Sequence, residues 1–419
     1  MNKKAFDADI IVVGCGMVGG LLATALSCPE AHGLSPQSTP LKIVVIDTAS
    51  PRAFEPGTDP AYDLRVSALS IASRRMLDSV NAWQGIQSRR VCPYRDLSVW
   101  DGEANGRTDF RAADVGAAEL GYIVENRVLQ LSLWDRLQEL PNVECYSPAA
   151  LDSIQQDEQG VEVKLKESSQ AVLRARLVVG ADGAQSLVRQ QAGISITAHR
   201  YDQHALVANV TTSKPQQQIT WQRFVPTGPQ AMLPLCGSRA SVVWYHTEQE
   251  VARLNALPDM EFINELCASF PDELGGIKSV EARASFPFAK AHADSYLGNR
   301  VALVGDAAHT VHPLAGQGVN LGLLDAAALA EVLLKAFAAE RDVGAPQVLA
   351  RYERWRRSNN ALMIQSLDAI HKTFMPQPVW FQQLRSAGLN TVNRIGPVKN
   401  RLMQHAMGTE GDLPHMARQ

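Results

Sequence analysis

The feature that most constrains this chain is a glycine-rich turn between a strand and a helix near its N-terminus. Residues 9–14 read Asp-Ile-Ile-Val-Val-Gly, a run of β-branched residues typical of a buried strand. The spacing G-x-G-x-x-G follows at Gly14, Gly16 and Gly19, and the apolar residues 21–26 open a helix. Gly14 permits the tight turn, Gly16 lets the backbone approach a pyrophosphate, and Gly19 allows close packing of helix and strand. The pattern predicts a dinucleotide-binding βαβ unit.

Other residues complete this predicted unit. Met17 and Val18 lie at the helix N-terminus, whose partial positive charge favours phosphate. Asp47 ends the next apolar run, where its carboxylate can accept a hydrogen bond from a ribose hydroxyl. Residues 29–40, rich in Ser, Pro and Gly, are predicted to be a loop insertion that lengthens the gap between the motif and this acid. The motif alone does not distinguish NAD from FAD.

Two more strand-like runs far along the chain also end in acids. Asp182 and Gly183 follow the run at 174–180, and Asp306 follows the run at 300–305. Because ligands of open α/β sheets bind at the carboxyl ends of strands, these acids are candidate ribose contacts. After Asp306 comes a glycine-rich helix start with free N–H groups for ligand oxygens. Its candidate contacts are Pro313, Gly316, Gln317, Gly318, Val319 and Asn320.

The three motifs, in this order, resemble those of FAD-dependent aromatic hydroxylases with the para-hydroxybenzoate hydroxylase fold. The most specific is Gly-Asp-Ala-Ala-His at 305–309, followed by P-x-x-G-Q-G-x-N. Shorter matches at 64–69, 120–126 and 221–224 are similar to the ubiquinone-biosynthesis hydroxylases, and the resemblance extends over residues 8–410. Some segments look most like the demethoxyubiquinol hydroxylases and others like the polyprenylphenol hydroxylases, so the ring position stays open.

The resemblance implies an α/β fold with a FAD-binding Rossmann-like domain, a mainly antiparallel β-sheet domain for the substrate, and C-terminal helices. We expect the FAD domain to be discontinuous and to comprise residues 1–85, 122–192 and 290–345. The substrate domain then comprises residues 86–121 and 193–289, and the C-terminal helical region comprises residues 346–419.

The resemblance also assigns site residues. Arg65 is expected at the FAD pyrophosphate or ribityl chain, Asn126 at the isoalloxazine edge and Pro313 beside the flavin ring. Gly318 to Asn320 are expected at the pyrimidine side of the ring. A surface salt bridge is the alternative for Arg65. His309 and His312 are candidates for acid–base catalysis. The alternative is that they hold the loop by hydrogen bonds, so neither is assigned as a catalytic base.

The chemistry implied by the resemblance is hydroxylation of a polyprenylated phenol or quinol ring by O2, through a flavin C4a-hydroperoxide. Since no second G-x-G-x-x-G is present, NAD(P)H is expected to bind only transiently as electron donor. The reaction needs an apolar cavity that excludes water. Alternating residues predict strands at 206–212, 219–225, 231–235, 240–246 and 281–288. Candidate lining residues, with ordinary core packing as the alternative, are Trp221, Phe224, Met232, Trp244, Phe286 and Phe288.

Composition narrows the partners. A net charge of -3 argues against nucleic-acid binding, and the six cysteines form no C-x-x-C pair, so we expect no metal site and reduced thiols in the cytoplasm. The apolar N-terminal segment resembles an export signal, but Asp7, Asp9 and the glycines argue against one. Four arginines between 351 and 357 on a predicted helix at 347–374 are either a solvated face or a patch for acidic lipid headgroups. Other ubiquinone-biosynthesis proteins, which the resemblance implies, and further copies of this chain in a homo-oligomer stay open as partners, and peripheral membrane contact is open as well.

Other functions on this fold also stay open. An isoprenoid reductase, a hydroxylase of a different aromatic and a flavin halogenase are enzyme alternatives, although the halogenase pattern W-x-W-x-I-P is absent. A non-catalytic flavin protein that scaffolds a biosynthetic complex through its C-terminal helices is the alternative from another class.

Overall fold

The computed structural model describes residues 5–54, 61–166, 172–270, 272–311 and 316–418. The helices are α1 Met17–Leu26, α2 Ile71–Ser79, α3 Trp83–Arg89, α4 Asn126–Gln138, α5 Leu187–Gln191, α6 Glu248–Ala256, α7 Asp259–Ser269, α8 Gln317–Ala338, α9 Pro346–Phe374, α10 Val379–Arg394, α11 Gly396–Ala406 and α12 His415–Arg418. The strands are β1 Ala8–Val13, β2 Ile43–Ile46, β3 Val66–Ser70, β4 Cys92–Tyr94, β5 Asp96–Asp101, β6 Arg107–Arg111, β7 Gly121–Glu125, β8 Val143–Tyr146, β9 Leu151–Gln156, β10 Val161–Leu165, β11 Val172–Gly180, β12 Ile196–Thr212, β13 Ile219–Val225, β14 Gly228–Leu235, β15 Arg239–His246, β16 Ile277–Ala293, β17 Leu297–Gly298, β18 Val301–Leu303 and β19 His309–Thr310.

The first sheet has a parallel centre in the order β18-β11-β1-β2-β8. Its central strands are nearly continuous runs of buried Val, Ile and Leu, because helices or further strands cover both faces. Val13 pairs with Ile46 on one side and with Gly180 on the other, and Gly180 pairs with Leu303. The chain therefore leaves all four strands at one edge of the sheet, the edge that carries the predicted acids.

Helices α1 and α8 pack against each other next to this edge. The contact needs small residues: a Cβ on Gly322 of α8 would lie 2.7 Å from a methyl group of Val18 on α1. Gly305, with φ of +59°, also lies against Val18. The two predicted phosphate-facing helix starts are thus brought to the same place.

The second sheet runs β19-β16-β12-β15-β14-β13-β5-β6 and is antiparallel except between β13 and β5. It contains all five strands predicted between 206 and 288, with β12 and β16 extended to seventeen residues each. One face packs on α6 and α7 in a separate core. A small third sheet, β3-β7-β4, connects the two larger sheets, and the predicted fold class is confirmed.

The C-terminal helices α9 to α11 extend over the end of the second sheet. Arg385 of α10 forms a buried bidentate ion pair with Asp101 of β5. Pro378 precedes α10, whereas Pro397 lies in the first turn of α11 and does not interrupt it, because a proline there lacks only an unneeded N–H. No helix among the described residues is long and apolar enough to cross a membrane.

Candidate cofactor site and adjoining cavity

The glycine-rich turn has the close contacts that its motif predicts. Gly14 has φ of +101°, and a Cβ on it would lie 2.4 Å from the carbonyl oxygen of Ala181. A Cβ on Gly19 would lie 1.9 Å from the carbonyl oxygen of Gly14. Around Gly16, by contrast, a Cβ would have no described atom within 4 Å. Two glycines are therefore required by packing, whereas Gly16 borders open space that fits a pyrophosphate.

The first turn of α1 is suited to bind an anion. Its N-cap is Gly16, which has no side chain to cap the helix, and the turn contains no acidic residue. Met17 and Val18 thus begin a helix whose first N–H groups point towards the open space beside Gly16.

Asp47 lies where the sequence predicts it, just beyond the end of β2. Its Oδ2 accepts a hydrogen bond from Cys15 N at 2.5 Å, and its Oδ1 accepts one from Ala49 N at 3.1 Å. The carboxylate is therefore held against the glycine-rich turn. Its contact with a ribose stays a prediction.

Asp182 has a different environment. Its Oδ1 accepts a hydrogen bond from Ser186 Oγ, and its Oδ2 accepts from Leu187 N at 2.7 Å and Val188 N at 3.1 Å. These bonds cap α5 and fix the turn that contains Gly183, whose φ is +81°. The structure therefore shows that Asp182 positions this turn. A direct contact of Asp182 or Gly183 with the cofactor stays a prediction.

No residue that the structure describes donates a hydrogen bond to the carboxylate of Asp306. Its side chain is exposed in the cleft at the end of β18. Surrounding protein raises the pKa of this carboxyl group, and the charges of His309 and Arg65 act in the opposite direction. This exposed carboxylate is available to a ligand hydroxyl group, and its contact with a ribose stays a prediction.

The start of α8 is tied to β3. Gly316 has φ of +63°, and a Cβ on it would lie 3.1 Å from Cβ of Ala68. Asn320 is buried, and its amide group donates to Ala68 O and accepts from Ser70 N and Ser73 Oγ. The Asn320 side chain therefore holds the N-terminal end of α8 in place. We expect any flavin contact at Asn320 to be made by its backbone atoms.

The other predicted residues of this segment lie at the N-terminal end of α8. Gln317, Gly318 and Val319 form the first turn of α8. Among the described residues, a Cβ on Gly318 would lie within 4 Å only of a methyl group of Val311. Pro313 and His312 lie outside the described residues.

Arg65 and Asn126 lie together at the boundary of the two large sheets. Asn126 N donates to Arg65 O at 3.0 Å, and Asn126 Oδ1 accepts from Ser67 Oγ at 2.6 Å. The guanidinium carbon of Arg65 lies 5.7 Å from the centre of the Phe286 ring. Both residues line the cavity described next.

A cavity of about 330 Å³ lies between this boundary and the second sheet. Most of its wall is apolar, which suits an aromatic ring. The lining residues are Leu64, Arg65, Val66, Ala68, Tyr94, Leu97, Asn126, Ala205, Val207, Thr220, Gln222, Pro229, Ala231, Leu233, Ser241, Val243, Tyr245, Phe286, Pro287 and Gly316.

For most of the six candidate lining residues, ordinary core packing, which was the alternative, is what the structure shows. Of the six candidates, Phe286 lines the cavity, and Phe288 lies among the side chains that the structure leaves undescribed. Successive side chains of a strand point to opposite faces, so Ala231 and Leu233 face the cavity while Met232 faces away. Trp221, Met232 and Trp244 pack in the core against α6 and α7, and Phe224 packs against α9.

Sequence reasoning missed the small and polar cavity residues. Thr220 and Ser241 are buried, and their hydroxyl oxygens have no hydrogen-bond partner among the described residues. Ser241 pairs with Leu233 across β15 and β14, and Thr220 lies on the other side of Leu233 on β13. Burial raises the pKa of Tyr94 to about 12, so its phenol stays neutral. Strand pairing, which the sequence does not reveal, was the missing signal.

His309 holds the loop, which was the alternative to an acid–base role. Its Nε2 lies 2.5 Å from Asp325 Oδ2, and the other oxygen of Asp325 accepts from Arg356 Nε at 2.7 Å and from Asn360 Nδ2. Burial alone raises the pKa of Asp325, but His309 and Arg356 outweigh it and hold the pKa at about 2. Placing Arg356 on the polar face of its helix was wrong: it is buried, because Asp325 needs a countercharge.

Comparison with known proteins agrees with this geometry. The sequence profile of a family described as "FAD binding domain" matches residues 7–366. The 3-demethoxyubiquinol 3-hydroxylase of Escherichia coli (strain K12) is 38% identical over 400 residues, which cover 96% of this chain and 98% of that protein. The ubiquinone hydroxylase UbiL of Rhodospirillum rubrum is 40% identical, with 96% of this chain and 90% of that protein covered.

The chain belongs to the FAD-dependent ubiquinone-biosynthesis hydroxylases. Within this family the zebrafish (Danio rerio) protein named ubiquinone biosynthesis monooxygenase COQ6, mitochondrial, is 32% identical, with 95% of this chain and 89% of that protein covered. Among solved structures, p-nitrophenol 4-monooxygenase PnpA of Pseudomonas putida has a TM-score of 0.74 at 21% identity and covers 97% of this chain and 99% of its own. That similarity shows the fold alone. The fit of the glycine-rich turn and strand ends makes FAD the cofactor of this family member.

Proposed function

We propose that this protein is an FAD-dependent monooxygenase that hydroxylates the aromatic ring of a polyprenylated phenol or quinol in ubiquinone biosynthesis. The observation that carries the proposal is the shared wall between the two sites. Arg65, Asn126 and Gly316, predicted to contact FAD, also line the apolar cavity. A ring bound in this cavity would therefore lie next to the reactive part of the cofactor.

The residues of the chain bind and orient the cofactor and the substrate, and they exclude water from the site. FAD, when bound, supplies the activated oxygen, with O2 as co-substrate and NAD(P)H as a transient electron donor. Gly16, Asp47 and Asp306 would hold the dinucleotide, and the start of α8 would meet the flavin ring. The apolar cavity wall keeps water from the reacting atoms.

The polar groups of the cavity support a phenol or quinol as the substrate. The Thr220 and Ser241 hydroxyls are buried in the cavity wall and have no hydrogen-bond partner within the described part of the chain, so one of them can hydrogen-bond a ring oxygen of a bound substrate. We expect Ser241→Ala to raise KM about fivefold with little change in kcat, because one substrate hydrogen bond is lost.

The remaining parts of the proposal concern partners and location. The relatives are named for ubiquinone biosynthesis, which supports a polyprenylated substrate and contact with other proteins of that synthesis. We place the protein in the cytoplasm as a homo-oligomer. Peripheral membrane contact would fit a substrate with a lipid-soluble tail.

The test is turnover of the purified FAD-loaded protein under labelled O2. With NAD(P)H and a short-chain polyprenylated phenol, we expect one labelled oxygen atom in each product molecule. Flavin reduction without oxygen transfer to any phenol would instead favour a reductase, and bound flavin with no turnover would favour a scaffold. Mass spectrometry of the quinone intermediate that accumulates in a strain lacking this protein then identifies the ring carbon.

A further inference from the structure

Exposed apolar side chains are concentrated at the C-terminal helices. Of the eleven large hydrophobic side chains that are exposed in the described residues, nine lie between residues 362 and 402. Trp380 and Leu384, four residues apart on α10, are 66% and 61% exposed. We define the outer stripe as the exposed residues Val379, Trp380, Leu384, Ile395, Val398 and Leu402 of α10, α11 and their junction.

The outer stripe belongs to a helix that is fixed in place. Both guanidinium nitrogens of Arg385 that face Asp101 donate to its carboxylate, at 2.7 and 2.8 Å. Ser386 Oγ accepts from Gly106 N at 3.0 Å. Arg385 and Ser386 hold the inner face of α10 against the β5–β6 hairpin, so Trp380 and Leu384 face outward because of the helix orientation and not because the helix has frayed.

The outer stripe has exposed cations beside it. Residues 369–409 contain five Lys and Arg and no Asp or Glu. Three of these cations, Lys372, Arg385 and Lys399, form ion pairs with acids outside this segment. Arg401 lies 3.8 Å from Glu410 but is 84% exposed, and Arg394 is exposed as well. Arg394 and Arg401 therefore supply the positive charge beside the outer stripe.

The outer stripe lies on the far side of the helices that close the cavity sheet. Gln222 of β13 lines the cavity, and Phe224 follows on the same face of that strand. Phe224 stacks on Phe374 of α9, with ring centres 4.2 Å apart, and Leu389 of α10 packs on the same cluster. Helices α9 and α10 thus separate the end of this sheet face from the surface that carries the outer stripe.

We propose that the outer stripe docks on an anionic lipid bilayer, with α10 and α11 lying in the plane of the headgroups. An in-plane helix of this kind combines a Trp and aliphatic residues with flanking cations, which anionic headgroups attract. A second copy of this chain would bring like charges together, which disfavours self-association through this surface. Docking on a bilayer does not depend on the hydroxylation reaction. It is explained by the proposed function, since a polyprenylated substrate resides in the bilayer.

The test is vesicle flotation of the full-length FAD-loaded protein. We expect binding to vesicles of phosphatidylcholine and phosphatidylglycerol, and binding at least about tenfold weaker without phosphatidylglycerol or at 1 M salt. The double variant Trp380→Glu, Leu384→Glu should lose at least about tenfold in affinity. Met260→Glu is the matched control, because Met260 is 69% exposed but lies on α7, and it should bind as the wild type does.

Three readouts keep the outcomes apart. Unchanged flavin content shows that each variant folds, and size-exclusion chromatography reports self-association. The proposal is overturned if the wild type does not float, if the double variant floats equally well, or if the outer stripe only holds a dimer together. Turnover of a detergent-dispersed short-chain phenol, measured on the same samples, tests the proposed function independently, since docking can fail while turnover is normal.

Discussion

The cofactor edge of the first sheet and the cavity face of the second sheet adjoin each other but are built in different ways. At the edge, function depends on backbone: Gly14 and Gly19 permit close approach, and Gly16 leaves space. At the cavity face, function depends on which side chains of paired strands point inward, as Ala231 and Ser241 do. Changes at the edge should therefore remove the cofactor, whereas changes at the cavity face should spare the cofactor and alter the substrate.

The largest effect is expected for Gly19→Ala. The new Cβ would overlap the carbonyl oxygen of Gly14, which should cost about 5 kcal/mol or more and prevent stable folding. Gly16→Ala is the matched control for packing: it should keep the thermal stability of the apoprotein but weaken FAD binding at least about tenfold, because the methyl group fills the space for the pyrophosphate. Thermal unfolding and FAD titration measure the two effects. Normal FAD binding by both variants would contradict the assignment of this turn.

Arg356→Met should destabilise the protein by about 3–5 kcal/mol, because it leaves Asp325 buried without its countercharge. Arg351→Met, on the exposed face of the same helix, should change stability by less than about 0.5 kcal/mol. Urea unfolding measures both. If both variants changed the free energy of unfolding equally little, the ion pair of Arg356 with Asp325 would have no structural role.

A buried histidine beyond the C-terminal end of α1, away from the glycine-rich turn, should make the protein less stable in mild acid. Burial, opposed by Glu331, lowers the pKa of His32 to about 4, so the folded state resists protonation that the unfolded state accepts below pH 6.5. Stability should be complete above pH 6.5 and fall by about 2 kcal/mol between pH 7 and pH 5. His32→Leu should flatten this dependence, and the exposed His405→Gln should not. An unchanged pH profile in His32→Leu would refute the prediction.

The smallest effect is expected at the cavity face. Ala231→Phe should fill part of the cavity and lower turnover of a polyprenylated phenol about tenfold, with FAD content unchanged. Ala282→Phe, exposed on β16 of the same sheet, should leave turnover unchanged. Steady-state kinetics with flavin quantification tests the pair. Loss of flavin in Ala231→Phe would show that the two regions are not separable.

The sequence was sufficient for the first region because its signals are local. The strand, the turn and the helix of residues 8–26 are adjacent in the chain, and each strand-end acid follows its own apolar run. It was insufficient for the cavity because lining depends on register between strands far apart in sequence. The buried partner of Arg356 was hidden for the same reason, since Asp325 lies on another helix and only packing joins them.

Cofactor and substrate are expected to meet at the shared wall of Arg65 and Asn126. Titration of the FAD-loaded protein with a short-chain polyprenylated phenol tests this directly by difference absorbance. A phenol next to the ring should perturb the flavin bands and saturate at one equivalent, and Ala231→Phe should weaken the change. Phenol binding by equilibrium dialysis without any change in the flavin spectrum would contradict the account.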